Sequence, residues 1–67
     1  MAKIQLNGKK IKIQTNFLII DLLNKYKLYN KKIAIELNGS IVPKSVYKKK
    51  KLRNNDIVEI VHFIGGG

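Results

Sequence analysis

Three consecutive glycines, Gly65, Gly66 and Gly67, stand directly behind the most strand-like run in the sequence, Ile57-Val58-Glu59-Ile60-Val61-His62-Phe63-Ile64. Without side chains such a run makes a slender arm, and its terminal carboxylate is unhindered and open to chemistry at the carbonyl carbon. The competing reading is a frayed end or an expression remnant. The residues upstream must decide between them.

Few other residues offer chemistry. His62 is the single histidine, and no second nucleophile or carboxylate lies at motif spacing from it, so neither an acid–base role nor a metal role is expected. The four acidic residues, Asp21, Glu36, Asp56 and Glu59, are isolated from one another. Asp56 is read as fixing the turn before the last strand rather than binding a metal. The absence of cysteine removes both a disulfide framework and a cysteine zinc site. No catalytic residue is expected, and the chain reads as a non-enzyme.

Fourteen basic residues against four acidic ones give a formal net charge of +10, which directs attention to an acidic protein or nucleic acid as partner. Much of the charge is spread over surface positions; the clear cluster is Lys48, Lys49, Lys50, Lys51 and Arg53. Isoleucine, lysine and asparagine are all abundant, as drift towards AT-rich codons would produce. No aromatic interleaving or nucleic-acid motif accompanies the cluster, so a solvated or partner-steering face is favoured over an RNA contact, and nucleic acid is not the expected partner.

Sixty-seven residues suit one domain that buries roughly 60% of its unfolded surface. No apolar stretch approaches the roughly 20 residues that cross a bilayer, and the N-terminus lacks an apolar targeting segment. A soluble protein of the cytoplasm or an organelle stroma, with no membrane partner, is expected.

The elements that must position the arm follow from periodicity. Ile4 and Leu6 alternate with polar neighbours, Asn7-Gly8 signals a tight turn, and Ile11 and Ile13 alternate in return: an N-terminal hairpin. Thr15 or Asn16 is placed to cap a helix reaching about Tyr26, with Ile19, Leu22, Leu23 and Tyr26 forming a stripe over one face of the sheet. Residues 27–32 read as a loop, 33–37 as a strand, Asn38-Gly39 as a turn, and Ile41-Val42 as a short return strand before Pro43. Residues 45–50 suit a helical turn directing Val46 or Tyr47 inward, Leu52 is the next core anchor, and Asn54-Asn55-Asp56 is a polar turn.

This order predicts an α+β fold, a mixed sheet packed on one main helix. Residues 1–64 would form a single domain and 65–67 a flexible tail. A long last strand is best protected at the sheet centre, with the glycines projecting from its end. On that strand Ile57, Glu59, Val61 and Phe63 share one face and Val58, Ile60 and His62 the other. Glu59 places its own face in solvent, which makes Val61 and Phe63 candidate partner-binding residues beside the tail.

Taken together, these residues carry a resemblance over essentially the whole chain. The opening through Asn7-Gly8, the helix with Asp21-Leu22-Leu23, the segment from Ala34 through Asn38-Gly39 to Lys44, and the ending from Asn55-Asp56 to Gly67 are similar to the ThiS family. These are small ubiquitin-like beta-grasp sulfur carriers of thiazole and thiamine biosynthesis. The resemblance implies that a ThiF-like adenylyltransferase, using ATP and magnesium, converts the Gly67 carboxylate to an acyl-adenylate. A sulfur donor protein then makes the thiocarboxylate, and a ThiG-like thiazole synthase takes the sulfur. It implies no permanently bound cofactor, with Gly65 and Gly66 as the tail that lets Gly67 reach a narrow channel.

Three positions depart from the family pattern. Leu18 stands where a small hydroxyl residue is common near the helix start, Asn55 replaces a glycine before Asp56, and the charge is unusually positive. Two rival functions accompany the carrier reading. One is the related small sulfur carrier of molybdopterin synthase, set behind the thiazole pathway by the short length and the Val61-His62-Phe63 context. The other is a small basic RNA-binding beta-grasp module, which would not require a terminal Gly-Gly.

Overall fold

A computed structural model describes residues 1–62. Phe63 and Ile64, expected to complete the last strand, and the glycines at 65–67 lie outside the described residues. Along the chain come β1 (Ala2–Leu6), β2 (Lys9–Ile13), α1 (Ile19–Lys25), β3 (Ile33–Leu37), β4 (Ser40–Ile41), a 3-10 turn (Lys44–Val46) and β5 (Ile57–His62). The five strands form one sheet in the order β2-β1-β5-β3-β4. β1 and β5 run parallel while the other pairs are antiparallel. This is the mixed sheet on one helix that the sequence predicts, with β5 at its centre.

Both tight turns have positive φ at their two central residues, 48° and 84° at Asn7-Gly8 and 51° and 87° at Asn38-Gly39. That backbone twist matches the flanking strands, and asparagine followed by glycine adopts it at least cost. Each turn therefore sets the register of its hairpin: Leu6 faces Lys9 and Leu37 faces Ser40. The second register moves the return strand one residue ahead of the expected 41–42. Val42 is buried and still donates its N–H to the Ile35 carbonyl at 2.9 Å.

The core lies between the sheet and α1. Ile4, Ile13, Ile35, Val58 and Ile60 come from strands, Ile19, Leu22 and Leu23 from the helix, and Val42, Tyr47 and Leu52 from the segment leading to β5. Burial pushes the Tyr47 phenol above its ordinary value of 10.0, while a backbone hydrogen bond with Ile35 acts in the opposite direction.

The helix departs from expectation at both ends. It begins at Ile19 with Leu18 as N-cap, and neither Thr15 nor Asn16 caps it. Asn16 is spent in a turn with φ of 65°. The exposed amides of the first turn are met from elsewhere: Ile19 N–H donates to the Lys50 carbonyl at 2.9 Å and Ile20 N–H to the Tyr47 carbonyl at 3.0 Å. The chain after the 3-10 turn thus does the work of a capping side chain. At the other end Lys27 turns left-handed at φ 59°, and Leu28 N–H closes back on the Leu23 carbonyl at 2.7 Å. This stops the helix early, so Tyr26 is 41% exposed instead of completing the apolar stripe. Leu28, packed against the core, takes up that role.

Candidate functional site

The site is built around the end of β5, where the chain leads towards Gly67. On one flank β3 accompanies β5 throughout, from Leu37 opposite Val58 to Ile33 opposite His62. On the other flank β1 is shorter, pairing only Gln5 with Ile57 and Leu6 with Val58.

Two asparagines lengthen this support. Beyond the end of β1, the Asn7 side chain accepts the Ile60 N–H at 2.8 Å and donates to the Ile60 carbonyl at 3.5 Å. At the start of β5, Asn38 accepts the Ile57 N–H through its side chain at 2.8 Å and donates its own backbone N–H to the Ile57 carbonyl at 2.7 Å. A carboxamide has the donor and acceptor of a peptide group, so each side chain continues a ladder that its own strand has left. Sequence reading takes Asn7 and Asn38 as turn formers only. Their second role was signalled by asparagine, rather than aspartate, preceding glycine in both hairpins, but it needs the spatial partner to be seen.

Asp56 belongs to the same framework. Its carboxylate accepts the Arg53 N–H at 2.8 Å and the Asn38 side-chain N–H at 3.1 Å, which holds the turn before β5. Asn55 adopts φ of 71°, the left-handed conformation that asparagine tolerates in place of glycine. Its N–H reaches the Lys3 carbonyl at 2.7 Å.

The two faces of β5 differ as the alternation predicts. Val58 and Ile60 point to the helix and are buried, while Ile57, Glu59 and Val61 are exposed. Val61 is 48% exposed and faces Ala34 in register, and Ile57 and Ile41 add apolar surface to the same side of the sheet. Glu59 lies opposite Glu36, placing two of the four carboxylates in the middle of that surface. Phe63, the second partner-binding candidate, and the glycines at 65–67 lie outside the described residues, so the described geometry ends at His62.

His62 is exposed and lies on the helix side of the sheet. It edges an open groove of about 510 Å³ with Leu6, Ile11, Tyr26, Leu28 and Ile60. Among the described residues no group of three or more histidine, aspartate or glutamate side chains could hold a metal ion. No helix among them is long and apolar enough to cross a membrane. The basic side chains at 48–51 and 53 are exposed, and the backbone beneath them is tied down by the Lys50 bond to the helix and a bridge between Lys51 and Leu18.

Comparison with known proteins adds a family to this geometry. The model of the ThiS family matches residues 3–67. The chain is 45% identical over 65 residues to the sulfur carrier protein ThiS of Bacillus subtilis, a match covering 96% of this chain and 98% of that protein. It is 37% identical over 65 residues to a thiazole synthase of Paramagnetospirillum magneticum, where 97% of this chain matches 20% of the larger protein. Among solved structures, a thiamine biosynthesis protein (ThiS) from Geobacter metallireducens superposes with a TM-score of 0.83 at 25% identity, over 97% of this chain and 99% of that one.

Proposed function

The chain belongs to the ThiS family, and from that premise we propose that it carries sulfur for thiazole formation on its terminal glycine. The observation that carries this reading is the match of the ThiS family model to residues 3–67, which takes in Gly65, Gly66 and Gly67, beside a sulfur carrier 45% identical over 96% of the chain. In the proposed cycle the Gly67 carboxylate attacks the α-phosphorus of ATP on a ThiF-like adenylyltransferase, with magnesium supporting the departing pyrophosphate. A carboxylate is a poor acyl donor because it is anionic and lacks a leaving group. The acyl-adenylate presents an electrophilic carbonyl from which AMP departs when sulfur at the sulfide level, furnished by a donor protein, adds. The resulting thiocarboxylate is the form that thiazole synthase consumes.

The carrier supplies the reacting end and its delivery, and the partners supply the catalytic groups. The absence of side chains at Gly65 and Gly66 lets the end approach a nucleotide backbone-first through a narrow channel. Ordering the arm costs roughly 1–2 kcal/mol per residue, which contacts by the body must offset. Val61, exposed beside the arm's root, is assigned to that docking surface together with Phe63. Thiazole synthase as the acceptor is supported by the occurrence of a segment 37% identical to this chain within a thiazole synthase.

Intact-mass measurement after incubation with ATP, magnesium, the adenylyltransferase and a sulfur donor tests the reading. The expected result is the shift for one carboxyl oxygen replaced by sulfur, abolished by removing Gly67 or by appending one residue after it. Loading only by molybdopterin-pathway partners would transfer the carrier to that pathway, and no shift with either set would end the proposal.

A further inference from the structure

We propose that Asn7 is a positioning residue for loading the carrier: its carboxamide substitutes for the missing strand beside the end of β5 and sets the direction in which the chain leaves the sheet. The inference rests on the carrier reading above and adds to it a residue far from Gly67 in sequence.

The geometry begins with the parallel pairing of β1 and β5. Gln5 N–H reaches the Asp56 carbonyl and Asn7 N–H the Val58 carbonyl, each at 2.9 Å, so alternate residues of β5 turn their backbone groups towards β1. The next in that series is Ile60, but at Asn7 the main chain enters the left-handed region at φ 48° and turns into the hairpin. The Asn7 carboxamide then takes the place of the peptide that would have followed. It accepts the Ile60 N–H at 2.8 Å and points its own N–H at the Ile60 carbonyl at 3.5 Å.

With these contacts the end of β5 is held from both flanks, by Asn7 at Ile60 on one and by its pairing with β3 on the other. Without them the last residues of β5 would be held from the β3 side alone, and a strand fixed along one edge is free to twist about it. Asparagine is the side chain that fits. Glycine would keep the positive φ but make neither bond, and aspartate would keep the acceptor while losing the donor.

The functional consequence is leverage. Gly67 is five residues past His62, a reach of at most about 18 Å. When the body docks through the Val61 face, the position and angle of the strand end decide how much strain the arm bears in bringing its carboxylate to the nucleotide. Misplacement of a reacting group by about 1 Å can slow a reaction about a hundredfold.

Asn38 provides the control, because its carboxamide makes the corresponding bond to Ile57 at the opposite end of β5. Single-turnover loading by the adenylyltransferase, followed by intact mass, is to be measured for the wild-type chain, Asn7→Gly, Asn7→Asp and Asn38→Gly, at a temperature where circular dichroism shows each folded. Asn7→Gly should lower the maximal rate by about ten- to a hundredfold with the half-saturating enzyme concentration within about twofold of wild type. Asn7→Asp should fall between the two, and Asn38→Gly should load at the wild-type rate despite a similar loss of stability. Equal slowing by Asn7→Gly and Asn38→Gly would show a general structural effect and overturn the positioning role. So would an unchanged maximal rate in Asn7→Gly, or an effect confined to half-saturation. Failure of the wild-type chain itself to load would instead remove the carrier reading, and the positioning role with it.

Discussion

The Asp21 carboxylate accepts the backbone N–H of Leu18 at 2.9 Å, across the first turn of the helix. This is one half of a reciprocal cap. A leucine side chain has no acceptor, so the other half, from residue 18 to the amide of Asp21, is missing. Leu18 is also absent from the apolar residues packed on the core. Leu18→Ser should therefore complete the pair and raise stability by about 1 kcal/mol. For a domain of this size that corresponds to a melting temperature higher by about 4–8 °C in a thermal scan. Destabilisation would mean that the Leu18 side chain contributes more through apolar contact than its cap omits.

Glu36 and Glu59 face each other across β3 and β5, in a chain with only two other acids. Like charges directly opposite on one sheet face are destabilising. Glu36→Gln should accordingly stabilise the fold, with the gain shrinking as salt screens the repulsion. Denaturant titration at two ionic strengths checks both statements, and a loss of stability at low salt would show that the pair is not repulsive in its setting.

Much of this architecture was legible because it rests on local pattern. Alternation in β1, β2 and β5 and the two Asn-Gly turns point directly to strands and hairpins, and the length of the last apolar run places β5 at the sheet centre. The helix start was not legible, since its first amides are satisfied by Tyr47 and Lys50, residues remote in sequence whose carbonyls carry no side-chain signature. Tyr26 misled for a related reason: helical spacing places it on the stripe, but the left-handed Lys27 ends the helix beside it. At the candidate site the proposed reacting end is written in the glycines themselves. The support for the strand end is written in Asn7, which, like Asn38 at the opposite end of β5, reads as a turn residue until its partner on β5 is known.

Tyr47 links stability to alkaline pH. Its phenol is favoured in the neutral form by burial, so its folded value lies above the unfolded 10.0. The contribution is therefore fully present below pH 10.0 and is lost as pH rises through the folded value, because the unfolded chain releases its proton first. Tyr47→Phe removes this titration. Compared with the wild-type chain, the variant should lose less stability per pH unit above pH 10.0 in parallel urea melts. Parallel curves for the two proteins would show that the phenol does not contribute to the alkaline loss.

The basic run invites a test of steering. Lys48, Lys49 and Lys50 are exposed, while the backbone beneath them is anchored by the Lys50 carbonyl to Ile19 N–H and by the bridge of Lys51 to Leu18. Replacing the three lysines with glutamine therefore removes charge and leaves the helix cap in place. Charges of this kind act on encounter over roughly a Debye length, about 8 Å at physiological salt, and change association more than dissociation. With the adenylyltransferase in stopped-flow binding, the wild-type association rate should fall as salt rises, the triple variant should associate more slowly and with a shallower salt slope, and the dissociation rates should agree within about twofold. Identical salt slopes would assign the run to solvation alone, and faster association by the variant would show that the surface it approaches is itself basic.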